Sequence, residues 1–78
     1  MVLYKKKYTV TAIAQNANSW MLQVDSSHNT ATIPLLLFEK DIEMFKRIMG
    51  RLSLEDTPFR HAVSVVAGAA RVAMKDPL

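Results

Sequence analysis

The chain alternates first and turns helical later. From Lys7 to Ala14, Tyr8, Val10, Ala12 and Ala14 fall on one side of an extended backbone, with Thr9, Thr11 and Ile13 on the other. A two-residue period rich in β-branched side chains predicts a strand. Trp20 to Asp25 repeats the pattern, with Trp20, Leu22 and Val24 opposite Met21, Gln23 and Asp25. Thr30 to Ile33 sets Ala31 and Ile33 opposite Thr30 and Thr32. Between these runs lie Gln15–Ser19 and Ser26–Asn29, rich in asparagine and serine, which hydrogen-bond their own backbone in turns. Three strands joined by short links predict an antiparallel meander. Tyr8, Val10, Ala12, Trp20, Leu22, Val24, Ala31 and Ile33 are expected on its buried face. Ile13 and Met21 are then two stray apolar residues on a polar outer face. Pro34 has no amide to donate and is expected to end the third ladder. Met1–Lys6 reads as a flexible arm. Leu35-Leu36-Leu37 fits strand, loop or helix alike.

Beyond this point the period lengthens. Phe38, Ile42, Phe45 and Met49 share one helical face, with Ile48 beside it. Glu39, Glu43, Arg47 and Arg51 follow at spacings of four, acid before base, the order that also suits the helix dipole. Gly50 is the expected stop, using its freedom to adopt positive φ. Arg51–Asp56 connects to a second helix over Thr57–Met74. Thr57 is the expected cap and Pro58 the first helical residue, where no amide is required. Phe59, Ala62, Val63, Val66, Ala69, Ala70 and Ala73 form its apolar face, and Asp76-Pro77 ends it. The reading is a single small α+β domain over residues 1–78. A three-stranded antiparallel meander is followed by two helices packed on one face, β-β-β-α-α. Val10, Trp20, Leu22, Ile42, Phe45, Phe59, Val63 and Val66 are expected in one core.

Composition narrows the chemistry. The 78 residues include no cysteine and two histidines, so no disulfide forms and no thiolate set exists for structural zinc. A cysteine-free chain suits a reducing cytoplasm. The lysines Lys5–Lys7 lead into an alternating run and not into the apolar core of a secretory signal. The longest mainly apolar runs, Ile33–Phe38 and Ala62–Ala70, fall short of the ~20 residues that cross a bilayer. Two distant glycines make no phosphate-cradling loop, and there is no Gly-x-Ser-x-Gly elbow. His61 precedes Ser64 by three on one helix, but no acid or oxyanion hole accompanies them. Glu39 and Glu43 are expected to pair with Lys46 and Arg47. The expectation is therefore no enzyme, no metal and no cofactor.

Charge and small residues point to partners. The net charge is +3, with three lysines against Asp25 in residues 1–38 and seven bases against six acids in the rest. Such mixing describes a solvated surface better than a nucleic-acid stripe. The leading reading is a non-catalytic protein that occupies a surface of a protein partner, as inhibitor or adaptor. In size and economy it is similar to the small stand-alone inhibitors of phages and mobile elements. The alternative is a small basic nucleic-acid-binding protein. It would use Lys5, Lys6, Lys7, Arg60, Arg71 and Lys75 on phosphates, with Tyr4 and Tyr8 stacking on bases. Gly68 costs a helix ~1 kcal/mol against alanine. Its expected reason is close approach of another backbone, from within the chain or from a second copy. In the second case Val65, Gly68 and Val72 form a homodimer contact.

Overall fold

The computed structural model describes residues 1–75. The order of elements is β1 (Val2–Lys5), β2 (Thr9–Asn16), β3 (Ser19–Asp25), β4 (Thr30–Phe38), α1 (Glu39–Met49) and α2 (Phe59–Lys75). The strands form one antiparallel sheet in the order β1-β2-β3-β4. The fold is thus α+β, with a meander followed by two helices, but the meander has four strands where the sequence predicts three. The expected helix end at Asp76-Pro77 lies outside the described residues.

The added strand is the segment read as a flexible arm. Val2 and Tyr4 suit a pleated surface, and Tyr4 finds a buried place opposite Val10. Pairing starts before the strand proper. The Ala12 amide donates to the Met1 carbonyl at 2.8 Å, and the Met1 amino group donates to the Ala12 carbonyl at 3.1 Å. Four residues are too few to show a period, so the sequence carries little sign of the strand.

β4 is the second correction. It runs through Pro34 to Phe38. Pro34 is tolerated because β4 is an edge strand and because its pairing slips there. Leu22 lies opposite Ile33 but Trp20 lies opposite Leu37, so β4 holds two extra residues in a bulge. Alternation nevertheless survives, with Ile33 and Leu37 buried, Leu35 half-buried, and Thr32, Pro34, Leu36 and Phe38 exposed. Leu35–Leu37 are therefore strand. Phe38 belongs to the outer sheet face and not to the helical stripe where its spacing put it.

The loops are tight. β2 and β3 are joined through Ala17-Asn18, and the Asn16 side chain accepts from the Asn18 amide at 3.1 Å. The Ser26 hydroxyl accepts from the amides of Asn29 and His28 at 3.0 and 3.3 Å, closing the β3–β4 turn.

Each helix starts on a side chain or carbonyl that answers a free backbone group. Asp41, buried in the first turn of α1, accepts the Phe38 amide at 2.9 Å. Gly50 ends α1 at φ −63°, so it makes no use of positive φ. A Cβ there would make only ordinary contact, 3.4 Å from the Lys46 carbonyl. For α2, Pro58 is the cap and not the first helical residue, its carbonyl accepting from Ala62 at 2.8 Å. Thr57 contributes its backbone. Its amide bonds Leu54 at 3.1 Å, and its carbonyl accepts the Tyr8 hydroxyl.

Both helices cover the same face of the sheet. α1 lies against α2, β4 and β1, and α2 lies against α1 and β4. The core joins Val10, Leu22, Val24, Ile33 and Leu37 of the sheet to Ile42, Phe45, Met49, Ala62, Val66 and Ala70 of the helices. Tyr4 and Leu54 complete it from β1 and from the connector. Of the expected core, Trp20, Phe59 and Val63 are only partly buried, and so is Ala31. These positions sit at the rim, where two short helices run out of width. No helix among the described residues is long and apolar enough to cross a membrane.

Two tyrosines supply a paired test. Tyr8 is 3% exposed and its hydroxyl is bonded, whereas Tyr4 is 7% exposed and its buried hydroxyl has no hydrogen-bond partner. Tyr8→Phe strands the Thr57 carbonyl and is expected to lower stability by ~1–2 kcal/mol. Tyr4→Phe is expected to be neutral or stabilising. Denaturant unfolding of both variants checks this, and equal losses would contradict the assignment.

Candidate functional site

The residues with catalytic potential are scattered over the surface. His28 is exposed in the β3–β4 turn, and His61 and Ser64 are exposed on α2, which carries no acid to orient them. Glu39 and Glu43 are exposed on α1. They border a groove of about 230 Å³ with Met1, Trp20, Ile42 and Lys46. Among the described residues no three His, Cys, Asp or Glu side chains gather as a metal site would require. The groove is lined by one aromatic ring, two carboxylates and one ammonium, and no nucleophile lines it.

The basic residues fall into two groups. Lys5, Lys6 and Lys7 are exposed at the β1–β2 turn. The Lys6 ammonium lies 5.8 Å from the centre of the Tyr4 ring and that of Lys7 lies 5.5 Å from the Tyr8 ring. Both rings are buried, so neither is free to stack on a base as the nucleic-acid reading requires. Lys7 also donates to the Glu55 carbonyl at 2.8 Å, and the Tyr8 and Phe59 ring centroids are 6.2 Å apart. These contacts tie the lysine turn to the Arg60 end of α2. Arg71 lies eleven residues further on, roughly 16 Å along a helix. The two groups therefore make no single compact basic patch.

The outer side of α2 forms the first open face. His61, Val65, Gly68 and Val72 recur at helical spacing and make one stripe, with Ser64, Arg71 and Lys75 beside it. Val72 is 60% exposed, and Val65 is half-buried against the core. A Cβ built at Gly68 meets nothing within 4 Å. Among the described residues nothing packs against this flank of Gly68, so no internal contact there calls for a glycine. The whole helix holds Arg60, Arg71 and Lys75 and no carboxylate; the nearest acids upstream are Glu55 and Asp56 in the connector.

The sheet side away from the helices is the second open face. Ile13 pairs with Met21, and Met21 in turn faces the Pro34–Leu36 bulge. Ile13, Leu36 and Phe38 are 36%, 46% and 53% exposed, and Val2 on β1 is 56% exposed. The two expected strays are thus part of a patch. Sequence reading missed it because Leu36 had no assigned direction and Phe38 was given to a helix. The available signal was the charge pattern, since Asp25 is the only formal charge between Lys7 and Glu39.

At the other end this face is polar, through Thr9, Thr11, Gln23, Thr30 and Thr32, and carries the charges of Asp25 and of Lys5 opposite Thr9. The Gln23 amide reaches the Asp25 carboxylate at 3.1 and 3.3 Å, and the Thr30 hydroxyl reaches it at 2.7 Å. These bonds, Gln23 first and Thr30 second, hold the carboxyl below its ordinary value against the opposing effect of burial.

Comparison with known protein families, curated proteins and solved structures finds no match for the chain. Function is therefore argued from the two open faces.

The Asp25 arrangement has a pH signature. A carboxyl lowered in the folded state adds stability above its unfolded value of ~3.9, and that stability is lost as pH falls through the folded value. Carboxyl titration followed by NMR is expected to show Asp25 titrating below its ordinary range. Gln23→Leu should raise the midpoint most and Thr30→Val less. A midpoint indifferent to both changes would contradict the bonding described.

Proposed function

We propose that the protein is a non-catalytic binding module of the cytoplasm that acts by occupying a surface of a protein partner. The contact we assign is the outer side of α2. The observation that carries this reading is the open flank of Gly68 beside exposed Val72, set in a helix with three permanent cations and no acid. Valine in water forgoes ~1.5 kcal/mol or more of burial, and a glycine gap lets another backbone approach closely. The surrounding arginines and lysine favour a partner with acidic residues around an apolar anchor. A second copy on this stripe would bring like charges together, so Val65, Gly68 and Val72 fit a different protein better than a self-contact. Inhibition and adaptation are both served by such occupancy.

Nucleic acid is the second reading, favoured by the same exposed, acid-free cations of α2. Two features weigh against it. The centre of the stripe is valine and glycine, which make no hydrogen bonds to base edges. The tyrosines beside the lysines are buried.

Affinity capture from host lysate, with and without nuclease, separates the readings. The expected result is a protein recovered after nuclease treatment, lost with Arg71→Glu and with Val72→Glu. Recovery should be retained when Lys5, Lys6 and Lys7 are all alanine. Recovery that needs intact nucleic acid and disappears with the three lysines would overturn the ranking.

A further inference from the structure

We infer that the outer face of the sheet is a self-association surface, occupied by a second copy of this chain packed face to face. This goes beyond binding through α2 and rests on different residues. The face has an apolar end made of Ile13, Met21, Leu36 and Phe38, and Val2 is exposed on the β1 edge opposite Thr11. Exposed apolar side chains collected on one side of a small domain mark a contact surface.

Charge selects the occupant. Apart from two cations on the β1 edge, Lys5 and the Met1 amino group bonded to the Ala12 carbonyl, the outward residues of the sheet carry one formal charge, Asp25, and its oxygens are already held by Gln23 and Thr30. Turning the face onto its own copy by a twofold rotation buries no unpaired charge at the apolar end and sets no like charges together there. An isologous contact needs that self-complementarity. A partner bearing the usual proportion of surface charge would lose hydration on this face and gain no counter-charge. A lipid surface would prefer cations around the patch, yet Lys5 pairs with Thr9, at the polar end.

The edges explain why contact is by face and not by added strands. β4 is broken by Pro34 and by its bulge, and β1 is short, bulged between Val2 and Tyr4, and ends in lysines. Both edges carry the devices that stop strand addition. The face has no such guard. Sheets stacked in this way lie about 10 Å apart with their side chains interdigitated. Met21, between Ile13 and the β4 bulge, then lies near the twofold axis. The assembly is four layers deep, with helices outermost and both α2 stripes free.

Sedimentation equilibrium of the purified full chain tests the inference without reference to any α2 partner. The wild type is expected to pass from monomer to dimer with rising concentration. Leu36→Glu, and Ile13→Glu on a different strand, should each raise the dimer dissociation constant by about a hundredfold or more, because a charge is then buried at the contact. Circular dichroism should show both variants folded, and Phe38→Ser is the milder substitute should either fail to fold. Val72→Glu should leave the dimer intact. A wild type that stays monomeric at high micromolar concentration overturns the inference. So does a dimer dispersed by Val72→Glu and indifferent to the sheet variants. Co-sedimentation of a wild-type monomer with phosphatidylcholine–phosphatidylglycerol vesicles, lost in Leu36→Glu, also overturns it and gives the face to lipid.

Discussion

Two helices cover one face of a four-stranded sheet, and among the described residues no third layer covers the other. α1 and α2 meet the sheet through Phe45, Met49, Val66 and the small residues Ala62, Ala69, Ala70 and Ala73, all buried. Alanine lets α2 lie close, so that one narrow face of the helix is spent on the core. Everything beyond that face, and everything on the far side of the strands, remains outside. A small domain buries a smaller share of its surface than a large one. Here the shortfall is not spread evenly. It falls on two surfaces of different character, one nearly neutral and flat, the other cationic and helical.

The clasp at Tyr8 keeps these surfaces on opposite sides. Its ring packs beside Phe59, its hydroxyl bonds the Thr57 carbonyl, and Lys7 beside it bonds Glu55. The start of β2 is thereby fixed to the start of α2. With Asp41 holding the entrance to α1, the helical layer is anchored at the start of each helix. The proposed partner contact on α2 and the proposed pairing through the sheet would therefore not compete. A dimer so formed would present two outward-facing α2 stripes and bind more tightly any partner with two sites.

How far the fold was legible follows from length and direction. The two hairpins from Thr9 to Ile33 could be read because alternation and turn residues agree over many positions. α2 could be read because Pro58 and a long apolar face agree. β1 could not, since Val2–Lys5 is too short to show a period and gains its place only by pairing with β2. Pro34 misled because its missing amide matters only on an interior strand, and edge position is a tertiary fact. Phe38 satisfied a helical spacing by coincidence while its backbone continued the strand. Gly50 was given a positive φ that the structure does not use, and the internal contact offered for Gly68 is not there among the described residues. The outer stripe of α2, with Val65, Gly68 and Val72, was legible as one helical face, and what occupies it is a proposal. The sheet patch was hidden by the same uncertainty that hid the length of β4.

The central claim is that one side of the sheet is covered by helices and the other is left open for a second copy. Hydroxyl-radical footprinting of the purified protein, dilute and concentrated, reads this side chain by side chain. The account predicts that Met21, Leu36 and Phe38 are labelled in dilute solution and protected in concentrated solution. Met74 and Val72 should be labelled in both, and Leu22 and Phe45 in neither. Labelling of Phe38 and Leu36 as weak as that of Phe45 in dilute solution would contradict the one-sided fold, and protection of Val72 in place of Leu36 on concentration would contradict the assignment of the two faces.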